Sequence, residues 1–226
     1  GNGMQTILFD LDDTLLDFRA AERAAITVTL RAAGVEPTPE TVQRYSEINA
    51  SQWRLLEQGQ ITRQTLTVRR FELLFAELGL VCDCRRIQAD YERQLGRQSQ
   101  LIPGAREALA ALAPYYDLYA ASNGTAAVQD SRLAASGLLP YFRDVFISQR
   151  IGFDKPQREF FERCFAQIPG FRRKQTMLVG DSLSSDIAGG RQAGICTCWY
   201  NPHRQQAGAV RPDYEIASLD ELVALL

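Results

Sequence analysis

An apolar run passes straight into three acids in Ile7-Leu8-Phe9-Asp10-Leu11-Asp12-Asp13-Thr14. Carboxylates gathered at the carboxyl end of a buried strand repel one another, so the arrangement calls for a compensating cation. Asp13 or Asp17 can cap the helix that follows, but a cap has no use for two acids spaced by one residue after an apolar strand, which singles out Asp10 and Asp12. A second acidic cluster follows another apolar run, in Met177-Leu178-Val179-Gly180-Asp181-Ser182-Leu183-Ser184-Ser185-Asp186. Gly180 permits close approach of the backbone and Asp181 falls at the strand end. Asp186 falls in the first turn of the next helix, where it either ligates a metal, answers the helix dipole or supports a ligand from outside.

Two further segments supply what a phosphoryl group needs. Ala120-Ala121-Ser122-Asn123-Gly124 ends a strand in a hydroxyl, an amide and a glycine, a common turn tripeptide that can also donate hydrogen bonds to phosphate oxygens. Lys155, in Gly152-Phe153-Asp154-Lys155-Pro156, is the only Lys between Asp10 and Lys174 in a chain that otherwise uses Arg. Near several carboxylates its compact charge would offset their repulsion and hold nucleophile and phosphate together. Pro156 is expected at the first position of the helix that follows.

The elements that must position these residues are legible as short apolar runs: Thr6 to Phe9, Leu118 to Ala121, Val145 to Ile147, Thr176 to Val179 and Ile195 to Tyr200. Helical patterns at Thr125 to Ala135, Pro156 to Gln167, Ser184 to Ala193 and Leu219 to Leu226 alternate with the later strands. Strand and helix in alternation predict an α/β fold, a Rossmann-like, doubly wound parallel sheet with helices on both faces. Ligands of such sheets bind beyond the carboxyl ends of the strands, where the acids stand. More than 100 residues without a convincing strand separate the first two runs. They carry helical patterns near Phe18 to Ala33, Pro39 to Gln58, Thr62 to Leu78 and Arg85 to Arg97, with Gly34, Gly59 and Gly79 at the helix ends. We therefore expect a core domain of residues 4–16 and 102–226 and an inserted all-helical cap domain of residues 17–101.

Composition excludes several classes. At 226 residues, with 46% hydrophobic and 23% charged residues, the chain can bury a sizeable core. With 25 basic and 27 acidic residues and no basic stretch, a nucleic acid polymer is not an expected partner. No apolar run reaches membrane-spanning length and no signal peptide is legible, so a cytoplasmic protein without a membrane partner is expected. Gly1-Asn2-Gly3 ahead of Met4 reads as a cloning remnant. Of the five cysteines, Cys82/Cys84 and Cys196/Cys198 form Cys-x-Cys pairs, which lack the spacing of zinc knuckles; reduced structural thiols are expected.

Taken in order, Asp10-x-Asp12-x-Thr14, Ser122, Lys155, and Gly180-Asp181 with Asp186 resemble the four motifs of the haloacid dehalogenase (HAD) superfamily, and the helical insertion resembles its type 1 cap. More narrowly, the chain is similar to the YjjG-type pyrimidine nucleotidases around Trp53, Gly59-x-Ile61-Thr62, Ile147-Ser148, Lys155-Pro156, Asp186-Ile187-x-Gly189-Gly190 and Cys198-Trp199-Tyr200-Asn201. The resemblance implies a phosphatase for a small phosphate monoester, with a pyrimidine nucleoside 5′-monophosphate as the expected substrate. In that chemistry Asp10 attacks phosphorus, Asp12 serves as acid and then base, and Thr14, Ser122, Asn123 and Lys155 cradle the phosphate. Mg²⁺ sits on Asp10, Asp181, the Asp12 carbonyl and, as a candidate, Asp186. The resemblance also places substrate between the lobes, with a cap that closes over it; Trp53, Phe18 and Tyr45 either stack on a base or fill the bundle core. Phosphoglycolate or a sugar phosphate is the alternative substrate. A phosphomutase, a haloacid dehalogenase and a non-catalytic binding module are the remaining readings; the dehalogenase is disfavoured because displacing halide from carbon needs neither Asp12 nor a metal.

Overall fold

The computed structural model describes residues 3–226; Gly1 and Asn2, most of the expected cloning remnant, lie outside them. The chain forms two units, one running up to Asp17 and again from Gln100 to Leu226, the other from Phe18 to Ser99.

The first unit is a six-stranded sheet. Its strands are β1 (Thr6–Phe9), β2 (Asp117–Ser122), β3 (Asp144–Ile147), β4 (Thr176–Gly180), β5 (Cys196–Tyr200) and β6 (Tyr214–Ile216), all parallel, in the order β3-β2-β1-β4-β5-β6. Thr6 lies opposite both Asp117 and Thr176, so β1 is flanked by β2 and β4. The chain order reverses between β1 and β4, and this switch point is where open α/β sheets receive ligands.

Alternate residues of each strand enter opposite layers. Ile7, Phe9, Leu118, Ala120, Met177 and Val179 pack against α5 (Ala105–Leu112) and α10 (Leu219–Leu225), together with Leu133 of α6 (Ala126–Ser136). Leu8, Tyr119, Ala121 and Leu178 face Phe160, Phe161, Cys164 and Phe165 of α8 (Arg158–Ala166). Both faces are thus covered, which is why the strands read as continuous apolar runs.

Phe18 to Ser99 contain α1 (Phe18–Ala32), α2 (Pro39–Glu57), α3 (Arg63–Leu78) and α4 (Cys84–Gly96). Each packs on the next and α4 returns to α1, closing a ring. Tyr45, Phe71 and Tyr91 meet at its centre with ring centroids 5.3 to 5.5 Å apart, so Tyr45 is a core residue. The Trp53 indole instead donates to Asn49 Oδ1 at 3.0 Å, beneath the Arg63 guanidinium.

Four expectations are corrected. The strand β6 and the helices α5 and α7 (Ser148–Ile151) add to the elements read from sequence. The helix after Lys155 begins at Arg158, two residues beyond Pro156. The segment expected as one helix from Ser184 to Ala193 is a π-helical turn, Leu183–Ile187, followed by α9 (Ala188–Gln192). Cys82 and Cys84 are joined as a disulfide, their Cα atoms 4.9 Å apart and so within bridging reach, whereas Cys164, Cys196 and Cys198 are free. Burial holds those three thiols up, at about 12, 11 and 12.

Candidate active site

β1 delivers Asp10 one residue past its end, and the Asp10 amide extends the pairing by donating to the Val179 carbonyl at 2.9 Å. The chain then folds back at once. The amides of Thr14, Leu15 and Leu16 all donate to the Leu11 carbonyl, and buried Leu11, Leu15 and Leu16 anchor the loop. Asp13 takes a positive φ of 61°, a conformation that Asp accepts more readily than most residues.

Lys155 is 1% exposed and uses all three ammonium hydrogens. It donates to Asp10 Oδ1 at 3.0 Å, to Asp186 Oδ1 at 2.7 Å and to the Ala121 carbonyl at 2.7 Å. Burial alone would push this ammonium down, but Asp10 and Asp186 outweigh it and hold Lys155 above its ordinary value. The Asn123 side chain fixes the Lys155 main chain from both sides: its Oδ1 accepts from the Lys155 amide at 2.8 Å and its Nδ2 donates to the Lys155 carbonyl at 2.9 Å. The amide expected at the phosphate thus places the lysine.

Thr14, also expected at the phosphate, is fully buried, with its hydroxyl 3.2 Å from Asp10 Oδ2 and 3.3 Å from Asp181 Oδ1, between the two carboxylates. Asp181 follows β4, and its carbonyl accepts from the indole of Trp199 on β5 at 2.9 Å. The second oxygen of Asp186 accepts from the Ser182 amide at 3.2 Å, so both of its oxygens are engaged. A Cβ on Gly180 would collide with that carboxylate, which explains the glycine.

One carboxylate oxygen from each of Asp10, Asp181 and Asp186 lies within 4.8 Å of the others. Burial, with Asp10 nearby, holds Asp181 well above the usual carboxylate range. Burial and Asp10 also lift Asp186 to about 7, against the opposing pull of Lys155. Three acids around one ammonium leave an excess of negative charge in a low-dielectric place. Hard oxygen donors with that excess fit a small divalent cation.

Asp12 stands apart from this group, its side chain 29% exposed. One oxygen is paired with Arg132 Nη1, and the other accepts from Gln129 Nε2 at 3.0 Å. The same Nε2 lies 3.0 Å from Ser122 Oγ, which also accepts from the Gly124 amide at 3.0 Å. The structure therefore joins Asp10, Thr14, Lys155, Asp181 and Asp186 in one network and Asp12 and Ser122 in another. Gln129 and Arg132 went unread in the sequence, and Trp199 was read without a role. Only the neighbourhood of Trp199 carried a signal, as part of Cys198-Trp199-Tyr200-Asn201.

Known proteins resemble this chain over nearly its whole length. The chain is 43% identical over 222 residues to the pyrimidine 5′-nucleotidase PynA of Streptococcus pneumoniae, covering 97% of this chain and 94% of that one. To the pyrimidine 5′-nucleotidase YjjG of Escherichia coli it is 31% identical over 97% of this chain and 96% of that one. A crystal structure of the HAD-hydrolase YfnB from Bacillus subtilis, bound to magnesium and revealing interdomain movement, superposes with a TM-score of 0.94 at 40% identity, covering 99% of this chain and 98% of that one. The model of the haloacid dehalogenase-like hydrolases matches residues 4–194, and with the parallel sheet and its ordered acids this chain belongs to that hydrolase family.

Proposed function

We propose that the chain hydrolyses small phosphate monoesters, pyrimidine nucleoside 5′-monophosphates foremost, through an aspartyl-phosphate on Asp10. The observation that carries this reading is the Asp10 carboxylate at the switch point, held by Lys155 at 3.0 Å and accompanied by Asp12, a second acid. Asp10 forms an O–P bond while the ester P–O bond breaks, and Asp12 delivers its proton to the leaving oxygen. Asp12 then takes a proton from water as that water attacks phosphorus, and the Asp10 carboxylate is released. One acid serves both steps because the displacement is split in two.

Asp10 and Asp181, with the Asp12 main-chain carbonyl, would hold Mg²⁺, and Asp186 would either join them from the same cluster or act through Lys155. When bound, the ion neutralises the acids and the phosphoryl oxygens. Ser122 would supply a hydroxyl donor to phosphate, and Lys155, its three hydrogens already taken, would offset the phosphate's charge. Thr14 and Asn123, expected at the phosphate, serve by holding the carboxylates and the lysine.

The nucleotide preference is supported by PynA and YjjG, both pyrimidine 5′-nucleotidases of matching length. The test compares kcat/KM for UMP, dUMP and dTMP with that for phosphoglycolate and a hexose phosphate. The nucleotides should be preferred, and a clear preference for either of the other two would sink the nucleotidase reading while leaving the Asp10 chemistry standing.

A further inference from the structure

Four acids crowd this end of the sheet, and their counter-charges are divided. Lys155 answers Asp10 and Asp186, the metal proposed above answers Asp181, and Asp12 is answered by Arg132. Arg132 comes from α6, where its side chain is fully buried. A buried cation on a helix that packs on the sheet costs several kcal/mol unless it is paired and hydrogen-bonded. Its charged partner is Asp12, an acid still partly open to solvent. One helical turn earlier on the same face, Gln129 is 1% exposed. Its Oε1 accepts from Arg132 Nη1 at 3.0 Å, and its Nε2 reaches both Asp12 and Ser122 at 3.0 Å. Room for it is made by Gly124, where a Cβ would lie 2.6 Å from that Nε2.

We propose that Gln129 and Arg132 are positioning residues, a clamp from one turn of α6 that fixes the plane of the Asp12 carboxylate and the direction of the Ser122 hydroxyl. Each Asp12 oxygen meets a different clamp residue, so the carboxylate cannot rotate without breaking a bond. Ser122 Oγ accepts two hydrogen bonds, from Gly124 and Gln129, which aims its own hydrogen away from both donors and toward a ligand. The proton donor to the leaving group and a donor to the phosphate are thereby held by one bridging amide.

The inference rests on Asp12 acting as the acid, and the test separates the two claims. kcat/KM reports transfer of phosphorus from ester to enzyme, and it is measured on p-nitrophenyl phosphate, whose leaving group departs without a proton, and on UMP or β-glycerol phosphate, whichever the wild type turns over faster. Asp12→Asn, Arg132→Lys, Arg132→Met and Gln129→Met are compared, with circular dichroism and melting confirming the fold. Arg132→Met should lose about 100-fold on the alkyl ester and much less on the aryl ester, in the pattern of Asp12→Asn, because a misplaced acid costs about that much. Arg132→Lys should recover part of the loss. Gln129→Met should lower kcat/KM on both esters, since it also releases Ser122. The clamp is overturned if the folded Arg132→Met and Gln129→Met variants stay within about threefold of wild type, or if Arg132→Met loses equally on both esters, as a merely structural role would give. Absence of leaving-group dependence in Asp12→Asn overturns the acid role and the clamp with it, while a wild type inactive on every ester overturns the proposed function itself.

Discussion

Lys155 has no hydrogen left for solvent, and its three acceptors come from three different parts of the chain: the Asp10 loop, the β2 carbonyl at Ala121 and the turn carrying Asp186. The lysine is therefore a structural pin as well as the counter-charge proposed for phosphate. Asp10→Asn keeps the shape of the pinned group but removes the proposed nucleophile. Activity should fall about 1,000-fold or more with the melting temperature nearly unchanged. Residual turnover within tenfold of wild type would rule Asp10 out as the attacking group. Asp181 behaves differently, because it has no lysine, and burial, with Asp10 nearby, holds it well above the usual carboxylate range. Asp181→Ala should raise the Mg²⁺ concentration for half-maximal activity about tenfold or more, and chelation should stop the wild-type enzyme. Activity in chelator equal to that in Mg²⁺ would refute the metal assignment.

At the scale of elements, the π-helical turn Leu183–Ile187 explains how a strand-end glycine, an acid and a lysine meet. The Ser182 hydroxyl accepts from the Ser185 amide while the Ser182 amide holds Asp186 Oδ2, so the wide turn brings Asp186 back over Gly180. Gly180→Ala places a methyl against that carboxylate and must move it off Lys155. We expect a loss of about 1 to 3 kcal/mol in denaturant unfolding, together with reduced turnover. An unchanged denaturation midpoint would show that the turn yields freely. This turn also marks what the sequence could reveal. Ser184 to Ala193 reads as one helix following a strand, and nothing in it announces a widened first turn. β6 is three residues long and sits among Asp213, Glu215 and their neighbours, too short for a period to register. The five longer strands were legible because burial on both faces demands unbroken apolar runs. The acids were legible because their spacing fits no helix cap. Gln129 and Arg132 were not, since a polar pair one turn apart on a helix ordinarily belongs to the solvent side, and only the fold shows that this face points inward at Asp12.

At the scale of the whole molecule, the sheet is assembled from distant pieces while the helical unit is continuous from Phe18 to Ser99. Contacts of α1 with α2, α2 with α3 and α3 with α4 are local in sequence, and even α4 on α1 closes within the unit, whereas β1 must find Asp117 and Thr176. Local contacts form faster because less chain entropy is lost in closing them. In pulse-labelled hydrogen exchange during refolding, amides of α1 to α4 should be protected before those of β1. Simultaneous protection of both would show that the units fold as one.

The placement of β1 between β2 and β4 has a consequence for synthesis on the ribosome. The strand that carries Asp10 emerges ahead of all its partners, yet its second neighbour cannot form until Thr176–Gly180 has left the exit tunnel. Until then an apolar tetrapeptide with one or both edges unpaired must be kept from other chains. The helical unit, continuous in sequence, can fold during that interval. A nascent chain stopped before Thr176 thus carries Asp10 without Asp181, Asp186 or the strand that aligns them, so the proposed site is complete only when the last quarter of the polypeptide is in place.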